Sequence, residues 1–225
     1  LDPSASSTLF IHQMGQWLTQ CGELHRSLDG GTSWAAVSDQ GCRLLFDADG
    51  ETIYRFGPQT LYRSADRGVT WESLPIPIRV DRLAAHPGRE RFLFGFPEGG
   101  GSILNSGNGG EAWEQVAAQA VEWMQAVSLF FDPVRAEVAY LVPHYGAYRS
   151  EDSGQTWTPC NFTIEWTSLT DSRWAIDPSD SQRIYVGRLD PGLWTSTDGC
   201  RNWMRVDSFP AVMVNSLAID PARPD

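Results

Sequence analysis

Apolar residues in this chain come in short runs, each stopped by Gly, Pro, Asp or Ser. One set usually closes on Asp-Pro: LLFD (44–47), LAAHP (83–87), LFFDP (129–133), WAIDP (174–178) and LAIDP (217–221). A second set comprises TLFIHQ (8–13), TIYRFG (52–57), RFLFGF (91–96), VAYLVP (138–143) and RIYVGR (183–188). A third ends in Ser after a polar residue: ELHRS (23–27), TLYRS (60–64), SILNS (102–106), AYRS (147–150) and LWTS (193–196). A fourth, such as AAV (35–37) or ESLPI (72–76), follows shortly after. Aromatic and β-branched residues bounded by turn formers predict strands, four to a unit. No segment holds a helical period over a helix-length window.

Between the third and fourth runs one phrase returns: SLDGGTSW (27–34), SADRGVTW (64–71), SGNGGEAW (106–113), SEDSGQTW (150–157) and STDGCRNW (196–203). Its starts at 27, 64, 106, 150 and 196 lie 37, 42, 44 and 46 residues apart. Four-stranded units with a period near 40 are blades of a β-propeller. In four copies an Asp side chain (Asp29, Asp66, Asp152, Asp198) can accept from turn amides, and in four a Gly (Gly31, Gly68, Gly110, Gly154) can supply positive φ. Trp then opens the next strand with a large apolar surface. A calcium loop needs more oxygen ligands and a closing bidentate Glu, so these are structural turns. Neither metal nor cofactor is expected.

The phrase resembles the Asp-box, or bacterial neuraminidase repeat, Ser/Thr-x-Asp-x-Gly-x-Thr-Trp. The matching residues are Asp29, Trp34, Asp66, Trp71, Asn108, Trp113, Asp152, Trp157, Asp198 and Trp203. The third copy has Asn108 for Asp and Ala112 for Thr; the fifth has Cys200 for Gly and Asn202 for Thr. These two turns are expected to be looser. The resemblance implies an all-β chain of four-stranded propeller blades, with the repeated turns on the face away from any ligand. It extends to sialidase-like, sortilin-like and photosystem II assembly factor-like propellers.

The repeats fall near 1–40, 41–78, 79–120, 121–165 and 166–210, with the first strand of another unit in 211–225. That strand, about Val212 to Asp220, either completes the first blade and closes a ring of five, or belongs to a larger propeller. The Asp-Pro phrase at both ends and the higher blade number of most Asp-box propellers favour a piece of a longer array.

A formal net charge of −11 and a pI near 4.7 argue against nucleic acid or an anionic membrane as partner. No apolar run is long enough to span a membrane. Cys21, Cys42, Cys160 and Cys200 lack metal-ligand spacing. They fit two disulfides of a secreted protein, or buried thiols. Asn161-Phe162-Thr163 matches the N-glycosylation pattern. An extracytoplasmic or secreted location is expected.

Four residues ahead of each Asp-Pro position stand Arg43, Arg82, Ser128, Arg173 and Ser216. Inner strands surround a propeller's axis, so this position should ring the mouth of the channel. Three guanidiniums there suit a carboxylate or another anion. Pairing with local acids such as Asp81 or Asp171 is the alternative. Connections on the same face carry Trp17, Glu122, Trp123, His144, Tyr145, Glu165 and Trp166. Aromatic planes beside carboxylates suit a sugar-binding cleft; covering the channel mouth is the plainer role.

Two functions follow. One is a non-catalytic propeller that binds a glycan, peptide or other anionic ligand at the loop face, as sortilin-type receptors and the photosystem II assembly factor do. The other is a glycoside hydrolase, sialidase-like or polysaccharide-cleaving, with catalytic residues partly outside this chain. The sialidase Arg-Ile-Pro phrase is absent; residues 75–79 read PIPIR. A pair of catalytic carboxylates would come from Glu122, Glu165, Asp171 and Asp190 by location alone.

Overall fold

The computed structural model describes residues 8–14, 21–38, 43–57, 59–116, 126–143, 146–161, 172–187, 192–209 and 214–220. These residues contain strands and no helix. β1 (Leu9–Met14), β2 (Cys21–Ser27) and β3 (Ala35–Ser38) form a three-stranded antiparallel sheet. The next sheet holds β4 (Arg43–Phe46), β5 (Ile53–Gly57), β6 (Thr60–Ser64) and β7 (Glu72–Pro75). The third holds β8 (Val80–Ala85), β9 (Leu93–Pro97), β10 (Leu104–Ser106) and β11 (Glu114–Gln115). The fourth holds β12 (Ala126–Phe131), β13 (Ala139–Pro143), β14 (Tyr148–Ser150) and β15 (Thr158–Pro159). The fifth holds β16 (Arg173–Ile176), β17 (Ile184–Gly187), β18 (Leu193–Ser196) and β19 (Met204–Arg205). Strands pair with their sequence neighbours, antiparallel throughout, as tight turns between consecutive runs require.

The chain divides into two compact units, residues 1–115 and 116–225. In the first, Tyr54, Phe56, Leu61, Val80, Leu83, Leu93 and Leu104 form a buried cluster. In the second, Val138, Tyr140, Val142, Trp174, Ile184 and Val186 do so. Every residue of β5 and β13 is buried. A strand covered on both faces reads as a continuous apolar run, as β13 does; β5 departs from this at Arg55, which is buried and donates to the Gly22 carbonyl at 3.3 Å. The strand expected over 212–220 is not formed by the described residues 214–220. Instead Val214 is buried against Gly187, and the Asn215 carbonyl accepts from Arg173 Nε at 3.0 Å. These contacts replace ladder pairing within the second unit.

All five repeated turns share one bonding scheme. The Ser hydroxyl donates to the acidic or amide oxygen two residues on, at 2.7–2.9 Å. It also accepts the amide four residues on, at 2.7–2.9 Å. The same carboxylate or amide oxygen accepts the backbone N–H of Ser33, Thr70, Ala112, Thr156 or Asn202. Two successive residues then take positive φ, such as Gly109 at 73° and Gly110 at 93°. The expected loosening of the fifth turn does not occur. Asn202 Nδ2 donates to Asp198 Oδ2 at 2.7 Å, just as the Thr70 hydroxyl does to Asp66, and Cys200 accepts φ 73°. The third turn lacks this last bond, because the Ala112 side chain has no donor; the three bonds of the shared scheme are intact.

These donors lower the pKa of the turn carboxylates. The Ser33 hydroxyl and amide, with Ser27, hold Asp29 far below the usual range, and the Thr70 hydroxyl and amide bring Asp66 to about 2. Asp152 and Asp198 are lowered too: burial opposes the shift, but Thr156 and Asn202 outweigh it. A folded-state value below the unfolded value of about 4 adds stability that is complete above about pH 4 and lost as pH falls toward 2. The thermal midpoint should therefore hold from pH 7 to about pH 5 and decline between about pH 4 and pH 2. A scan that stays flat to pH 2.5 contradicts this.

Neighbouring sheets within a unit are tied by an arginine just ahead of the Ser. Arg26 Nη1 donates to the Arg67 carbonyl at 2.6 Å, and Arg63 Nη1 to the Asn108 and Gly109 carbonyls at 3.2 Å each. In the second unit Arg149 lies beside Gly199 and donates from Nε to the Tyr140 hydroxyl at 3.1 Å. In each case the arginine reaches the turn of the following sheet. The Asp of the Asp-Pro phrase is a second anchor. Asp47, Asp132 and Asp177 are buried and accept amides from the turn into the second strand. Asp47 also accepts the Arg91 amide of the next sheet at 2.8 Å. His86 takes this place in the third sheet, with Nδ1 accepting the Gly88 amide at 3.1 Å.

Candidate functional site

The three arginines lie at or near the start of β4, β8 and β16. Arg43 pairs opposite Phe56, Arg82 opposite Phe96 and Arg173 opposite Gly187, while Ser128 sits opposite Val142. The ladder thus gives these four residues the same place in their own sheets. All three arginines are exposed. Arg43 lies 6.0 Å from the centre of the Phe56 ring. In the first unit β4 and β8 are in direct contact, so Arg43, which opens β4, and Arg82, the third residue of β8, lie on adjacent strands. Arg173 donates from Nε to the Asn215 carbonyl (3.0 Å) and from Nη1 to the Ser172 carbonyl (3.3 Å).

The remaining expected site residues, Trp17, Trp123, His144, Tyr145, Glu165 and Trp166, lie outside the described residues, as do Glu122, Asp171 and Asp190. No group of three or more His, Cys, Asp or Glu that could hold a metal ion occurs among the described residues. No helix among them is long and apolar enough to cross a membrane.

At the other end of the inner strands of the second unit is an apolar recess of about 160 Å³. It is lined by Phe130, Phe131, Pro133, Trp174 and Ile176. The Phe130 and Trp174 rings stack at 6.2 Å with an interplanar angle of 20°. Ligand pockets usually enclose roughly 300 Å³ or more, so the recess is smaller than a sugar-binding cleft. It follows the Asp-Pro turns, three residues along β16 from Arg173, and belongs to the packing between β12 and β16.

Antiparallel sheets of four strands, repeated with one turn geometry and arranged from inner to outer strand in chain order, define this chain as a β-propeller protein. Comparison with known proteins narrows the likeness. The chain is 24% identical to the xyloglucanase Xgh74A of Acetivibrio thermocellus over 92% of its own length and 31% of that protein's. It is 24% identical to a Paenibacillus xyloglucanase over 87% of its length and 20% of that protein's. Among solved structures, an ancestral GH74 enzyme matches with a TM-score of 0.68 at 16% identity, over the whole chain and 33% of that protein. The Niastella koreensis GH74 enzyme matches at 0.63 and 19% identity, over 90% of this chain and 30% of that one. The chain therefore spans about a third or less of these relatives. No family model matches it.

Proposed function

We propose that this propeller binds a β-glucan of the xyloglucan type, at the face where the inner strands begin. The observation that carries this reading is the likeness to xyloglucanases across most of the chain. Arg43 and Arg82, exposed at matching positions on adjacent strands, supply donors for sugar hydroxyls there. Binding is favoured by the matching ladder positions of Arg43 and Arg82 on adjacent strands. The second reading is a glycoside hydrolase, supported by the activity named for the relatives. Its candidates are Glu122, Glu165, Asp171 and Asp190. A secreted location accords with the Cys160–Cys200 disulfide, since such bonds persist in oxidising compartments.

Calorimetric titration with xyloglucan oligosaccharides, run beside a reducing-end assay, separates these readings. The expected outcome is saturable binding, weakened at least about 5-fold by Arg43→Ala with Arg82→Ala, and no new reducing ends. Release of reducing ends, lost on changing one of the four carboxylates, supports the hydrolase instead. Absence of both binding and cleavage overturns the glucan assignment.

A further inference from the structure

The seam between the second and third sheets and the seam between the fourth and fifth are built differently at three corresponding positions. In the first unit Gly110 of the third turn faces Leu61 and Leu74 of the second sheet. A Cβ on Gly110 would stand closer than 3.0 Å to Leu61 Cδ2 and 3.4 Å from Leu74 Cδ1. Leu61 and Leu74 pair across β6 and β7. Counting from the Ser and the Trp of the phrase, the matching residues in the second unit are Cys200, Ala147 and Cys160. The Cys160 amide bonds to the Ala147 carbonyl at 2.8 Å, so this pair sits across the ladder as Leu61 and Leu74 do. All three are buried, and Cys160 and Cys200 form a disulfide with Cα atoms 5.1 Å apart.

The three replacements make sense only together. Cys in place of Gly brings a side chain into space that a Leu would fill. Ala147 vacates that space, and Cys160 supplies the second sulfur where an aliphatic side chain would stand. The cost of positive φ at a non-Gly residue is about 1–2 kcal/mol, and the covalent link offsets it. We infer that Cys160–Cys200 is a redox-sensitive lock on the seam between the fourth and fifth sheets, substituting for the leucine packing of the equivalent seam. Closing it transfers two electrons and two protons from the thiols, by exchange, to an acceptor disulfide of an oxidising compartment. Opening it takes them back from a dithiol donor. The open seam then holds Ala147 and two thiols where the other seam holds two leucines, and is underfilled.

The test compares the wild type with and without a phosphine reductant, Cys160→Ser/Cys200→Ser, and Ala147→Leu/Cys160→Leu/Cys200→Gly. Thermal midpoints are read together with hydrogen exchange at the amides of Cys160, Gly199 and Cys200. The local readout matters because Cys21 and Cys42 lie in the other unit. Reduction and the double Ser variant are expected to lower the midpoint of the second unit by about 10 °C and to speed exchange at these amides. The leucine–glycine variant is expected to stay within a few degrees of the oxidised wild type and to ignore reductant at these amides. Unchanged exchange on reduction overturns the lock. A leucine–glycine variant as unstable as the double Ser variant overturns the equivalence of the two seams. Should the double Ser variant not fold, exchange in the reduced wild type still decides the first point.

Discussion

Gly110→Ala is expected to destabilise the first unit by about 3 kcal/mol, lowering its thermal midpoint by roughly 10 °C. Two costs add. The residue sits at φ 93°, where an L side chain loses about 1 kcal/mol or more. The new methyl also meets Leu61 Cδ2 closer than 3.0 Å, in a cluster where Leu61 is fully buried. Most of the loss should come from the clash, because Cys200 tolerates φ 73° in the corresponding turn opposite Ala147. A double-mutant cycle with Leu61→Ala isolates that share. Leu61→Ala alone costs about 2–5 kcal/mol, and the pair should cost clearly less than the sum of the two. Strict additivity would show that backbone conformation, not the contact, governs this position.

Arg63→Met is expected to cost about 2–3 kcal/mol, while Arg91→Met costs under about 1 kcal/mol. The comparison is informative because both guanidiniums bond to Glu111 and to the Asn108 carbonyl. They differ in burial: the Arg63 side chain is 11% exposed and that of Arg91 is 48% exposed. Met keeps the apolar stem of Arg63 but strips its donors from the Asn108 and Gly109 carbonyls, contacts that are partly buried. Around Arg91 solvent takes over its bonds. Urea unfolding of the two variants checks the ranking; equal losses would mean that the carbonyls are solvated and that the seam does not depend on Arg63.

Much of this architecture was legible in the residues. The aromatic and β-branched runs at 52–57, 91–96 and 138–143 became β5, β9 and β13, and the phrase at Ser27, Ser64, Ser106, Ser150 and Ser196 became one turn. The alignment of Arg43, Arg82 and Arg173 four residues ahead of the Asp-Pro position coincides with their shared ladder register. The seams were not legible. Arg26 and Arg63 act on backbone carbonyls, and a carbonyl leaves no mark in the amino-acid pattern. Asn202 looked like a lost Thr, yet its amide has a donor at the right reach. Cys200 looked like a lost Gly, because the change that accommodates it, Ala147, lies 53 residues earlier and resembles an ordinary small core residue. Trp17, Trp123 and Trp166 carry the loop-face reading but fall outside the described residues, so the ligand stays with the proposal above.

Arg26 and Arg63, each just ahead of a Ser, grip main chain in the following sheet. A grip on main chain does not depend on which side chains the neighbour carries. A repeat that carries such an arginine therefore finds the same handhold on whatever side chains its neighbour presents. Coupling of this kind leaves the gripped neighbour's side chains free to diverge, provided that its turn keeps the same main-chain geometry.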